Sequence, residues 1–199
     1  MKVLVDGENL RHQLAHVLHE QNKLPNKNAY FKFDMLGFLE EALHDEAIEA
    51  RYYTTHIKQP RDHVPVRLQK QINTISESNR RWVADLTNNS VVVIKAGYLR
   101  VRESSACVHC GKKTLVLQEK GVDVRVATDL VLSRDSEKQV VLVSSDSDLI
   151  PALETTKKSG VYTYYLCYAG WLNRSLATVA HKTITFDDAL VLKYYKERK

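Results

Sequence analysis

Short apolar runs recur along this chain, each closed by polar residues and followed by a stretch with helical spacing. Residues 2–5 read KVLV and stop at Asp6-Gly7, residues 91–97 read VVVIKAG, and residues 139–145 read QVVLVSS. Residues 48–57 (IEARYYTTHI) and 161–169 (VYTYYLCYA) are rich in β-branched and aromatic residues. Runs of this kind are what strands buried on both faces require. Between them lie residues 9–19, then Asp34 followed by Met35, Leu36, Leu39 and Leu43, with Asp34 placed as an N-cap. Pro60 and Pro65 bracket a turn, and Val66, Leu68, Ile72, Ile75, Trp82, Val83 and Leu86 then trace a long helix. Residues 121–134, 171–180 and 187–199 are further helical patterns, with KTITF (182–186) as a last short strand. Strands alternating with helices predict an α/β fold of three layers, a mostly parallel central sheet with helices on both faces.

The chain reads as one domain over residues 1–199. YLRVRE and TLVLQEK alternate apolar and polar residues around SSACVHCGKK, which predicts a β-hairpin inserted near 98–118. A basic C-terminal helix is expected near 187–199. Hydrophobic residues make up 44% and charged residues 27%, as in ordinary globular domains, and no apolar run is long enough to cross a bilayer. The opening MKVLVDGEN reaches Asp6 and Glu8 too early for a signal peptide. Three cysteines make no disulfide framework, so a cytoplasmic location is expected. The net charge of +5 and pI near 9.0 are compatible with a polyanionic partner without demanding one.

In open parallel sheets, functional residues gather beyond the carboxyl ends of the strands. Here one strand ends in Asp6, with Glu8 and Asn9 behind it. Another ends in Ser144-Ser145-Asp146-Ser147-Asp148, and the hairpin's return strand runs into Lys120-Gly121-Val122-Asp123. An Asp after a strand is also the usual N-cap of the next helix, and Asp123 and Asp146 both sit where caps belong. Separate caps do not predict the conjunction of VDGEN, KGVD and DSD. If the strands of Asp6 and Asp146 are neighbours, several like charges meet, and a hard divalent cation is the usual compensation.

VLVDGENL, EKGVDVRVATDLV and VVLVSSDSDLIPALE resemble, in order and spacing, the three signature segments of the NYN domain, a LabA-like (DUF88-type) branch of the PIN-like metal-dependent nucleases. The resemblance covers most of residues 1–187. It implies a PIN-like α/β fold, an acidic cluster binding Mg²⁺ or Mn²⁺, and a site at Asp6, Asp123, Asp146 and Asp148, both as catalytic residues and as metal ligands. Asn9 is a polar member of the first segment. Asp129 matches the second, but its spacing turns it away from Asp123, which gives it a structural role. Family members often have glycine where Ser145 stands; a serine there could still direct backbone N–H groups at the site.

The activity so implied is metal-dependent hydrolysis of phosphodiester bonds, an endoribonuclease, with RNA favoured over DNA. Asp6 and Asp146 are the expected direct ligands, with Asp123 and Asp148 acting directly or through water. Asn9, Lys120, Ser145, Arg80 and Arg81 are candidate substrate contacts, with Lys120 placed to meet the scissile phosphate. Arg61, Arg67, Lys70, Arg100, Arg102, Lys112 and Lys113 are further cations, and most such charges are simply solvated. The tyrosines at 52, 53, 162, 164, 165 and 168 are read as core packing.

Cys107-x-x-Cys110-Gly resembles half of a zinc knuckle. The second pair is missing, so a lone chain is expected to hold no stable zinc; His109 or the knuckle of a second subunit in a homodimer could close the site. Two rival functions stay open. One is a catalytically silent RNA-binding or scaffold module, the other a metal-dependent phosphatase or nucleotide-processing enzyme. A nuclease needs an open groove, a phosphatase a closed pocket.

Overall fold

The structure, a computed structural model, describes residues 1–57 and 64–197. The turn at Pro60 and the cation Arg61 lie outside the described residues.

The chain runs β1 (Lys2–Asp6), α1 (Gly7–Glu20), β2 (Lys32–Phe33), α2 (Met35–Leu43), β3 (Glu49–His56), α3 (Val66–Asn88), β4 (Val92–Glu103) and β5 (Leu115–Lys120). It continues through α4 (Val122–Leu132), β6 (Gln139–Val143), α5 (Ile150–Lys158), β7 (Tyr162–Tyr168), α6 (Arg174–Val179), β8 (Lys182–Phe186), α7 (Asp188–Tyr194) and β9 (Tyr195–Lys196). Seven strands form one sheet in the order β5-β4-β3-β1-β6-β7-β8, and every pairing is parallel except β4 with β5.

Side-chain alternation splits the core into two layers. Val3, Val5, Val141, Val143 and Tyr52 pack on one face with α1, α2 and the Trp82 and Leu86 end of α3. Leu4, Val140, Leu142 and Tyr53 pack on the other with α4, α5 and α6. The strand order reverses at β1: β3, β4 and β5 lie to one side, β6, β7 and β8 to the other. That reversal opens a crevice at the carboxyl ends of β1 and β6.

Four expectations change. Residues 91–97 and the first arm of the hairpin are one twelve-residue strand, β4, with a register shift opposite Thr54 and Thr55. The hairpin is therefore an overhang of the main sheet, since β3 pairs with β4 only as far as Tyr98. The loop before Asp34 contains β2, and the helix expected over 187–199 ends at Tyr194, where β9 turns back to pair with β2. Asp123 does not cap α4: Gly121 holds that position at φ 94°, a left-handed conformation that glycine adopts without steric cost. Asp146 caps a single 3-10 turn, Ser147–Leu149, that precedes α5. The Asp34 cap forms as expected, its carboxylate accepting the Gly37 N–H at 3.3 Å.

Candidate active site

Asp6 is the last residue of β1 and the N-cap of α1. Its Oδ1 accepts the Asn9 N–H at 3.3 Å, and its Oδ2 accepts the Ser144 hydroxyl at 2.8 Å. Helix α1 can start this close to the sheet only because residue 7 is glycine. A Cβ there would lie 2.2 Å from the Tyr53 carbonyl oxygen and 2.3 Å from the Tyr52 ring. The Tyr52 hydroxyl in turn donates to the Gly7 carbonyl at 2.6 Å.

Parallel pairing of β1 with β6 places Val5 beside Val143, so the loop after β6 begins next to Asp6. Ser144 is fully buried and serves both sides: its hydroxyl donates to Asp6 and accepts the Asp146 N–H at 3.1 Å. Asp146 Oδ1 accepts the Asp148 N–H at 2.9 Å. The cap role of Asp146 is therefore real, and it occupies only one carboxylate oxygen with a backbone donor.

Burial dominates the electrostatics of Asp6. Its pKa is raised to about 6, with the Ser144 and Asn9 hydrogen bonds opposing and the charges of Asp123 and Asp146 adding to the rise. Asp123, exposed in the first turn of α4, is raised by partial desolvation and then by Asp146 and Asp148, while Lys120 pulls it down. The four carboxylates read from the sequence thus share one electrostatic neighbourhood, with Lys120 at its edge. Glu119, at the end of β5, was not foreseen. Its pKa is raised by burial and also by Glu8, Asp6 and Asp123, so it borders the same crevice. The signal was its place one residue before Lys120, on the opposite face of the strand. His12 was missed too; it lies 3.3 Å from Glu8, one turn along α1, and each stabilises the charged form of the other.

Asn9 and Ser145 turn inward. Asn9 Oδ1 accepts the Ser145 N–H at 3.0 Å and the Gln13 side chain at 2.6 Å. The Ser145 hydroxyl accepts from Gln13 at 3.1 Å and donates to the Trp171 carbonyl at 3.2 Å. Gln13, fully buried, also takes the Tyr168 N–H at 2.9 Å, and Asn173 donates to the Ser145 carbonyl at 3.0 Å. These bonds brace the loop that carries Asp146 and Asp148, and they use the Ser145 N–H expected to face the site. Asp129 accepts the Tyr53 hydroxyl at 2.8 Å and pairs with Arg125 at 3.0 Å, a structural role.

Two basic elements lie on the β3–β4 side of the crevice. Asn79 meets the carboxyl end of β3, hydrogen-bonding Thr54 at 3.3 Å and the Thr55 carbonyl at 3.4 Å. The part of α3 before it is roughly 18 Å long at ~1.5 Å per residue. Arg67 and Lys70 ride exposed on this segment, and Arg80 sits beside Asn79. Arg100 and Arg102 ride exposed on the overhanging part of β4, with Arg100 lying 4.3 Å from the Tyr98 ring centre. Arg81 is not with them: it pairs with Glu77 and lines a separate groove with Pro25, Tyr195 and Lys196. Of the tyrosines, Tyr52, Tyr53 and Tyr165 are core, but Tyr162 is 41% exposed and stacks on His181. Two exposed rings lie near the site: Tyr98, 39% exposed and paired with Lys120 across the hairpin, and Trp171, 40% exposed, whose carbonyl accepts the Ser145 hydroxyl and whose ring lies 5.1 Å from that of His16.

Among the described residues, no three His, Cys, Asp or Glu side chains are drawn close enough to hold one ion between them. No helix among them is long and apolar enough to cross a membrane.

None of the curated proteins compared with this chain matches it. Among solved structures, the crystal structure of a protein of unknown function from Vibrio parahaemolyticus is similar, with a TM-score of 0.58 at 18% identity over 98% of this chain and 94% of that one. At that identity the likeness is one of fold. The family model of the NYN domain matches residues 1–187, so the chain belongs to the NYN domain family.

Proposed function

We propose that this protein is a divalent-metal-dependent endoribonuclease that hydrolyses phosphodiester bonds at the β1–β6 crevice. The observation that carries the reading is the buried Asp6, whose pKa near 6 reflects burial and the charges of Asp123 and Asp146 beside it. Family membership supports a nuclease-type hydrolase acting on nucleic acid.

The donor set fits a hard cation: it is all oxygen, and the charges that act on Asp6 are like charges. Mg²⁺ is typically held by one or two carboxylates with waters completing the octahedron, so a three-residue cage is not required. Asp6 and Asp146 would hold the ion, with Asp123 and Asp148 in contact or reaching it through water. Bound there, Mg²⁺ or Mn²⁺ supplies Lewis acidity to a phosphoryl oxygen and lowers the pKa of water. Ser144 fixes Asp6 against the loop of Asp146 so that both carboxylates stay aimed at the crevice. Lys120, whose charge acts on Asp123, would meet the scissile phosphate. Trp171 offers a face on which an unpaired base could stack, which favours a single-stranded substrate. Arg67, Lys70, Arg80, Arg100 and Arg102 would carry the backbone on the β3–β4 side of the crevice, through contacts that set affinity rather than sequence.

The second reading is an RNA-binding module without catalysis, for which the exposed Arg67, Lys70, Arg80, Arg100 and Arg102 would suffice. Cleavage of a labelled RNA panel in Mg²⁺, Mn²⁺ or EDTA, beside the Asp6→Asn/Asp146→Asn double variant, separates the two. Metal-dependent products absent from the variant support the nuclease; binding without products in either protein supports the module.

A further inference from the structure

The tip of the β4–β5 hairpin carries chemistry that phosphodiester hydrolysis does not use. Residues 105–115 are all exposed. Within them the chain closes a tight turn: the Cys107 N–H donates to the Lys112 carbonyl at 2.9 Å, and the Gly111 N–H donates to the Cys107 carbonyl at 2.8 Å. Gly111 has φ 66° with open space around it, so its role is conformational. Cys107 and Cys110 lie three positions apart on this turn, and both are exposed. Two exposed sulfurs on one tight turn form half of a tetrahedral zinc site.

A structural zinc site is closed by four ligands. Among the described residues no third His, Cys, Asp or Glu completes this one, and the remaining cysteine, Cys167, is buried in β7. We propose that two copies of the chain meet at their hairpin tips and share one Zn²⁺, held by Cys107 and Cys110 of each copy about a two-fold axis. Each thiol releases its proton to solvent as its sulfur bonds the ion, and no electron is transferred. Four thiolates around Zn²⁺ leave a doubly negative centre. Lys112 and Lys113, the next residues of the turn, bring positive charge to it from both copies, and Lys113 also lies 3.4 Å from Glu103. Val108, 96% exposed, supplies apolar surface that a second tip would cover.

The test uses the full chain, purified reduced, dialysed with Zn²⁺ and then freed of unbound metal. Zinc is counted per chain, and mass is followed by sedimentation and native mass spectrometry. The expected result is half an ion per chain in a dimer that EDTA converts to monomer. Co²⁺ in place of Zn²⁺ should give the intense absorption of a tetrahedral thiolate centre. Cys107→Ser and Cys110→Ser should each be folded monomers by circular dichroism, without bound zinc, while Cys167→Ser keeps both ion and dimer. One zinc per chain in a monomer overturns the proposal. So does a dimer that survives EDTA, or a zinc-free chain whose mass is lower by two hydrogens through a Cys107–Cys110 disulfide. None of these readouts depends on RNA cleavage.

Discussion

The Ser144 hydroxyl donates to Asp6 Oδ2 at 2.8 Å, joining residues 138 positions apart in the chain. Through its second bond, to the Asp146 N–H, it makes the ends of β1 and β6 one unit. The placement of Asp146 relative to Asp6 is thus set by a buried side chain as well as by the sheet register.

Asp146→Asn isolates charge from shape. Asn caps about as well as Asp, so the Ser147–Leu149 turn should survive. Cleavage should fall by roughly two or more orders of magnitude, the scale of losing one electrostatic stabiliser of a transition state, while RNA binding is retained or tightened. A folded variant that cleaves at the wild-type rate would show that the cap is the residue's whole role.

Asp6 makes a prediction about pH and stability. Its folded pKa, near 6, lies above its unfolded value of 3.8, so the folded state holds the proton more tightly. Stability from this group is therefore greatest below about pH 4 and is lost as the pH rises through 6. Above that range the ionised carboxylate costs up to ~3 kcal/mol, from roughly two pH units at ~1.4 kcal/mol each. Metal-free Asp6→Asn should melt higher than wild type at pH 7 and alike at pH 3.5. Equal melting at both values would mean that Asp6 carries no such penalty.

Mg²⁺ or Mn²⁺ should raise the melting temperature of wild type, by about 2.7 kcal/mol of stability at a hundredfold excess over Kd. The gain should shrink as the pH drops below 6, where protons compete for Asp6, and should vanish in the Asp6→Asn/Asp146→Asn double variant. Calorimetry showing no binding at millimolar metal would count against the metal reading.

Gly7→Ala tests the close approach of α1 to β3. The new Cβ would meet the Tyr53 carbonyl and the Tyr52 ring well inside van der Waals contact. Relief requires α1 to move off the sheet and Asp6 with it, at about 3 kcal/mol or more by analogy with overpacked cores. Denaturant unfolding should show that loss, and cleavage should drop even where the variant remains folded.

Trp171→Ala should weaken binding of single-stranded RNA by ~1–3 kcal/mol, the value of one base on one ring. KM should rise with little change in kcat, and duplex RNA should be affected less. An unchanged KM for single strands would remove Trp171 from the substrate path.

The sequence alone determined the parallel α/β architecture, because strands buried on both faces must be apolar along their length and that pattern needs no partner to be visible. It also marked Asp6, Asp146 and Asp148, which end or follow parallel strands, as carboxyl-edge residues, whereas Asp123 follows the antiparallel β5 and reaches the same neighbourhood only because β4 overhangs the sheet. The local caps at Asp34 and Asp146 were readable because their hydrogen bonds reach only two or three residues, whereas the cap position expected of Asp123 is held by Gly121. Only the tertiary structure decided the rest. Glu119 joins the acidic crevice because β5 folds back along β4, and Trp171 stands beside Ser145 because β7 pairs with β6. Asn9 and Ser145 look like substrate contacts in a linear reading, yet spend their hydrogen bonds on each other and on the buried Gln13. Arg80 and Arg81 are neighbours in sequence, but about 100° of helical turn separates them, so one sits beside Asn79 and the other lines a different groove. Short-range hydrogen bonding and apolar periodicity are written residue by residue; which polar side chains meet across the sheet depends on strand order and register, which a single sequence does not encode locally.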